Sequence, residues 1–109
     1  MINWEDFEII DIRTGTIVRV EPFEKARKPA YKLWIDFGEF GIKQSSAQIT
    51  QNYRPEQLVG KQIAAVLNFL PKQIADFTSE CLILGAYAQN GSVILLETSF
   101  RSHDGLKIG

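Results

Sequence analysis

Few residues in this chain could act as nucleophile, base or metal ligand. His103 is the only histidine and Cys81 the only cysteine. A Cys81–His103 pair is formally possible, since a reactive thiolate needs a neighbouring base or cation. Yet Cys81 lies inside the apolar run Cys81-Leu82-Ile83-Leu84, where a thiol behaves as an inert small hydrophobe. His103 sits in a polar tail, Arg101-Ser102-His103-Asp104, and reads as a solvated surface residue. Transition-metal sites need several His, Cys or carboxylates at ligand spacing, and no such set is present. Nor is there a dinucleotide-binding, phosphate-loop or nucleophile-elbow motif. The residues therefore argue against an enzyme and imply no cofactor or metal.

What remains is binding chemistry. Gln44, Ser46 and their neighbours are uncharged hydrogen-bonding groups near a strand end, suited to backbone amides, hydroxyls or base edges. Asn68-Phe69-Leu70-Pro71-Lys72 leaves an apolar strand and enters a loop, placing an amide, an aromatic, a proline and a cation in one corner. Trp34 lies opposite the core-facing set of its strand, where an aromatic fills an interface or lines a groove. Lys25, Arg27 and Lys28 form a short basic patch in one loop.

The elements that must position these groups follow from periodicity. Asn3 suits an N-cap, with a short helix over Trp4 to Glu8 behind it. Ile10 to Val20 reads as a strand with Ile12, Val18 and Val20 on one face and a bulge or bend at Gly15. Tyr31 to Phe37 alternates most clearly, with Tyr31, Leu33, Ile35 and Phe37 inward. Ile42 to Ser46 is a third strand, and Pro55 opens a short helix. Ile63 to Leu67, Cys81 to Leu84 and Val93 to Leu96 are strands; Leu70 to Ser79 reads as a loop or short helix. Asn90-Gly91 predicts a two-residue type I′ hairpin turn.

About five or six short strands in 109 residues predict an all-β fold, a small closed barrel in a single domain. Three of the strands are apolar on both faces, so something beyond the barrel must cover them. Short helices could do so in part; a two-fold partner subunit is the simpler cover. Net charge is −1, so the whole-molecule field does not favour nucleic acid. No apolar run approaches the roughly 18–20 residues of a spanning helix, and no signal peptide opens the chain. A lone cysteine fits a reducing compartment. The expectation is a soluble cytoplasmic protein without membrane insertion.

Several segments resemble a known family. Asp11-Ile12-Arg13-Thr14-Gly15-Thr16-Ile17-Val18 is similar to the opening signature of the tRNA-binding OB domain of methionyl-tRNA synthetases and stand-alone tRNA-binding proteins. Ile35-Asp36-Phe37-Gly38, Asn68-Phe69-Leu70-Pro71 and Ser79-Glu80-Cys81-Leu82 resemble its later elements. Gly41 to Thr50 and the terminal Lys107-Ile108-Gly109 are closest to one branch, the CsaA family. The resemblance covers essentially the whole chain, 1–109.

It implies a five-stranded OB-fold barrel with an N-terminal helix and a C-terminal extension, both helping to build a homodimer. It also implies a chaperone that binds unfolded or pre-secretory polypeptides and is linked to protein secretion through the Sec export ATPase. The alternative is a tRNA-binding accessory protein. Where tRNA binders of the family read Pro-Ala-Lys-Met-Arg-Gly, this chain reads Pro71-Lys72-Gln73-Ile74-Ala75-Asp76. Gln73 and Ala75 replace two cations and Asp76 adds an anion, which weakens a phosphate-binding surface. The matching framework residues, Asn68, Pro71, Ser79 and Glu80, complete the expected peptide or tRNA site with Trp34, Gln44, Ser46, Phe69 and Lys72.

Overall fold

The computed structural model describes all 109 residues, Met1–Gly109. Its frame is set by the strand with the clearest alternation. Tyr31, Leu33 and Ile35 point inward along β2 (Tyr31–Asp36), and Phe37 follows them into the core. β2 pairs antiparallel with β1 (Ile12–Pro22) on one side and β3 (Ile42–Ala47) on the other. β1 pairs in turn with β4 (Gln62–Val66), and β4 with β7 (Leu82–Ile83). The order β3-β2-β1-β4-β7 makes a nearly closed five-stranded antiparallel OB-type barrel. Two short hairpins decorate it, β5 (Lys72–Ile74) with β6 (Phe77–Ser79), and β8 (Gly85–Tyr87) with β9 (Val93–Leu95).

The core is Ile17, Leu33, Ile35, Phe37, Ile63 and Ala65, with Leu58 of α2 (Pro55–Leu58) packed into the same cluster. A helix of one turn cannot stand alone. This one is fixed by Pro55 at its start and by the fully buried Leu58. α1 (Trp4–Glu8) is different. Asn3 and Asp6 form a reciprocal capping box, but no residue of the helix is buried.

Four expectations from the sequence need correcting. The bulge in β1 lies between Ile17 and Arg19, not at Gly15. It flips the alternation, so Ile17 is fully buried while Val18 is exposed. Gly15 serves a different purpose. A Cβ there would stand 2.5 Å from the Phe37 ring and 2.7 Å from Ile35, so glycine is what lets β1 lie over that ring. Residues 70–79 are not a loop or helix but hold the β5–β6 hairpin. Finally, Asn90-Gly91 does turn a hairpin, but not of type I′. Ala88 and Ser92 close the loop, and only Gly91 has positive φ, at 85°. That is a three-residue loop ending in a left-handed glycine.

The question of what covers the outer strand faces resolves in two parts. The C-terminal segment lies across β1 and β4 as a strap. Thr14 N–H donates to the Leu106 carbonyl, Ile108 N–H to the Ile12 carbonyl, and Gly105 N–H to the Thr14 carbonyl. Beneath it Thr14, Thr16 and Gln62 are buried. On β7 and β9 nothing lies over the outer face. Leu82, Ile94 and Leu96 remain 47%, 51% and 49% exposed.

Candidate functional site

The outward face of β2 and β3 carries Lys32, Trp34, Gln44 and Ser46. Register explains the grouping, since Trp34 pairs with Gln44 and Lys32 with Ser46. Arg19 joins them because the β1 bulge brings it opposite Trp34. Its guanidinium lies 4.6 Å from the Trp34 ring centre and is ion-paired with Glu21.

Two loops flank this face. Loop 23–30, between β1 and β2, brings Phe23. The β5–β6 hairpin brings Phe77, which meets Phe23 edge-on at 5.5 Å and Trp34 edge-on at 6.0 Å. The Lys32 ammonium sits 5.0 Å and 5.3 Å from the Phe23 and Phe77 rings. Phe23, Ala30 and Phe77 form a small buried cluster with no member in common with the barrel core. The loop tips are joined where Lys25 Nζ donates to Asp76 Oδ2 at 2.8 Å. That hydrogen bond raises the Lys25 ammonium pKa and holds the Asp76 carboxyl below its ordinary range.

Gln44, Ser46, Ser79 and Glu80 meet at the barrel's closing seam. Gln44 N–H donates to Glu80 Oε1 at 3.0 Å, and Ser46 N–H to Ser79 Oγ at 3.2 Å. Gln44 Nε2 donates to the Thr78 carbonyl at 2.8 Å, and Glu80 N–H to the Gln44 carbonyl at 2.8 Å. Side chains here do part of what a strand ladder would do, so the edge amides of β3 are satisfied. Lys72, opposite Ser79 in the hairpin, is exposed.

The other expected residues lie apart. Asn68 Nδ2 donates to the Ile9 carbonyl at 2.7 Å, and its Oδ1 accepts from Asp11 N–H at 2.9 Å. The amide thus braces the passage from α1 into β1 and has little capacity left for a ligand. Phe69 and Pro71 are exposed beside it in the chain. Of the basic patch, Lys25 is neutralised by Asp76, while Arg27 and Lys28 stand exposed. Sequence reasoning missed Arg19, Lys32, Phe23 and Phe77. The outward alternation of Lys32 with Trp34 was the available signal for Lys32. Nothing in the sequence aligned Phe23 or Phe77 with them.

No three His, Cys, Asp or Glu side chains converge as a metal-binding group. The Cys81 thiol is pushed up to about 12, chiefly by burial, with Glu80 adding to the effect and a hydrogen bond with Ser45 opposing it. It stays a thiol at neutral pH. No helix is long and apolar enough to cross a membrane.

A barrel of this topology, with an aromatic face between two loops, defines a class of binding domain, and the sequence family agrees. The family described as "Putative tRNA binding domain" matches residues 12–106, and the chain belongs to that family. Within it, the chain is 52% identical to chaperone CsaA from Bacillus anthracis, with a TM-score of 0.95, over 100% of this chain and 99% of that one. It is 53% identical to the CsaA chaperone protein from Picrophilus torridus, with a TM-score of 0.94 and full coverage of both. A methionine–tRNA ligase of Methanococcoides burtonii is 34% identical over 105 residues, which is 96% of this chain and 15% of the ligase. The chain thus spans a small part of the ligases it matches.

Proposed function

We propose that this protein is a dimeric chaperone that binds unfolded or pre-secretory polypeptide segments in the cytoplasm, on the β2–β3 face between loop 23–30 and the β5–β6 hairpin. One observation carries the reading. The face is built of aromatic rings and amides, and its cations are engaged by the protein itself, Lys25 by Asp76, Arg19 by Glu21 and Trp34, and Lys32 by the rings of Phe23 and Phe77. A phosphate-tracking surface needs free cations, because each phosphate neutralised contributes to affinity. An apolar floor rimmed by Gln44, Ser46, Ser79 and Lys72 suits reversible capture of extended chain segments. The full-length similarity to the two CsaA chaperones supports the same assignment. A role beside the Sec export ATPase belongs to this proposal. Capture of this kind requires no catalytic residues, and we assign none.

A second reading, a tRNA-binding accessory protein, is favoured by the exposed Arg27, Lys28 and Lys72 and by the family itself. Titration of a reduced, carboxymethylated polypeptide and of a tRNA panel, each at two salt concentrations, separates the two. Polypeptide binding that survives the higher salt is expected. Tight, salt-sensitive tRNA binding with no polypeptide binding would overturn the chaperone assignment.

A further inference from the structure

The aromatic cluster on the β2 face has an unusual construction. Phe77 is buried, yet it belongs to a cluster separate from the barrel core. It arrives on the tip of a hairpin whose root, not its tip, is tied to β3 through Thr78 and Ser79. The tip holds on by the packing of the Phe77 ring, by its half-buried neighbour Ile74 against the same cluster, and by the exposed Lys25–Asp76 pair. Its turn contains Ala75 at a φ of 52°, the only non-glycine residue with positive φ. A small satellite cluster joined by one exposed ion pair opens more easily than the core beneath it.

The walls Phe77 contacts would suit any similar ring. Trp34 and Phe23 offer edge-to-face partners, and Lys32 offers its ammonium to a π face. We propose that Phe77 is a built-in stand-in for a ligand, and that the slot between Phe23, Lys32 and Trp34 receives a phenylalanine or tyrosine side chain of a bound polypeptide when the hairpin tip peels away. This rests on the polypeptide-binding reading above and names its specificity. The shape of the slot favours a polypeptide side chain over a nucleobase. The slot already fits one phenyl ring, that of Phe77, with edge partners on two sides.

The test uses two unstructured peptides that differ only in a central Phe or Leu, and the full-length protein in a Trp4→Phe background, so that Trp34 alone reports by fluorescence. Asp76→Ala unlatches the tip at an exposed position and leaves both cores intact. It is expected to tighten binding of the Phe peptide roughly two- to fivefold, the scale of an exposed ion pair. Phe77→Ala, which empties the slot, is expected to tighten it about tenfold. The Leu peptide should gain little in either case. Lys32→Gln should weaken the Phe peptide selectively. Equal affinity of wild type and Asp76→Ala, or an equal gain for both peptides, overturns the slot while leaving polypeptide binding standing. A gain for single-stranded oligouridine instead of the Phe peptide overturns it in favour of a base. Failure of every form to bind either peptide overturns the polypeptide reading and the slot together.

Discussion

Cys81 sits where β6 hands over to β7, buried beside Ser45 and next to Glu80. Desolvation penalises its thiolate, and the neighbouring carboxylate repels it, so its pKa rises from 9.0 to about 12. Two outcomes follow. Because the thiolate is the nucleophile, iodoacetamide at pH 8.5 should modify the thiol only after denaturation. Mass spectrometry of native and urea-unfolded samples checks this, and rapid native alkylation would refute it. The second outcome is a linkage effect. In the unfolded chain the thiol ionises near pH 9, but in the native protein only near 12. The stability gained from keeping it protonated is complete below pH 9 and is lost as pH rises from about 9 to about 12. Cys81→Ala should therefore flatten the fall in Tm above pH 9, as read by scanning calorimetry. The same scale shows why some single residues misled the sequence reading. A glycine reports the lack of a side chain without saying whether the cause is backbone conformation or space. At Gly15 it was space under Phe37. Asn68 looked like a ligand-binding amide because only the fold reveals that Ile9 and Asp11 consume it.

At the scale of elements, the C-terminal strap matters most. Its anchor is Gln62, a buried amide with all its hydrogen-bonding capacity engaged. Nε2 donates to the Ser102 carbonyl at 2.8 Å and to Asp104 Oδ1 at 3.0 Å. Oε1 accepts from Thr98 Oγ1 at 2.9 Å and from Ser102 N–H at 3.1 Å. Gln62→Leu removes these hydrogen bonds, though Ser102 is exposed to water and the half-buried Asp104 keeps the Thr16 hydroxyl as a donor. The expected cost is about 1–2 kcal/mol by urea denaturation, the scale of lost hydrogen bonds whose remaining partners water can still reach. Amide exchange should quicken at Gly105, Leu106 and Ile108 first, because those amides pin the strap to β1. A loss under about 0.5 kcal/mol would mean the network contributes nothing beyond packing. Elements were legible in proportion to their length and contrast. β2 alternates over a full strand and was read correctly; so were α2, β3 and β4 in outline. β5 and β6 are three residues each, too short for a period to register, and Pro71 suggested a break. That hairpin carries Lys72, Ser79 and Phe77, so missing it hid half of the site. Trp34, Gln44, Ser46, Lys72, Ser79 and Glu80 do come to one side of the barrel. Asn68, Phe69 and Pro71 were grouped with Lys72 by chain adjacency, but Asn68 is fastened to the α1–β1 passage instead.

On the whole molecule, charge is nearly balanced at −1, and one of the exposed apolar regions lies at β7 and β9. Leu82 and Leu84 alternate with the inward Ile83, and Ile94 and Leu96 alternate with the buried Leu95. The Leu96 N–H bonds the Leu84 carbonyl, which sets the residue after β9 beside the residue after β7. Tyr87 and Phe100 stand exposed in the same stretch of chain, and Trp4 on α1 is exposed at the other end. A surface of this kind on a small domain argues for a cover. The strap lies over β1 and β4 and leaves this face open. A second copy of the chain is the expected cover, placed two-fold so that each copy buries the other's apolar face. A stable interface needs about 800 Å² from each partner. Sedimentation of the wild type at micromolar concentration should give a dimeric mass, and its Tm should rise with protein concentration because dissociation accompanies unfolding. Ile94→Glu combined with Leu96→Glu, both at exposed positions, should give a folded monomer. Its Tm should no longer depend on concentration, since carboxylates cannot be buried without partners. A wild type that sediments as a monomer, or a double variant that stays dimeric, would remove the apolar face as the reason for assembly.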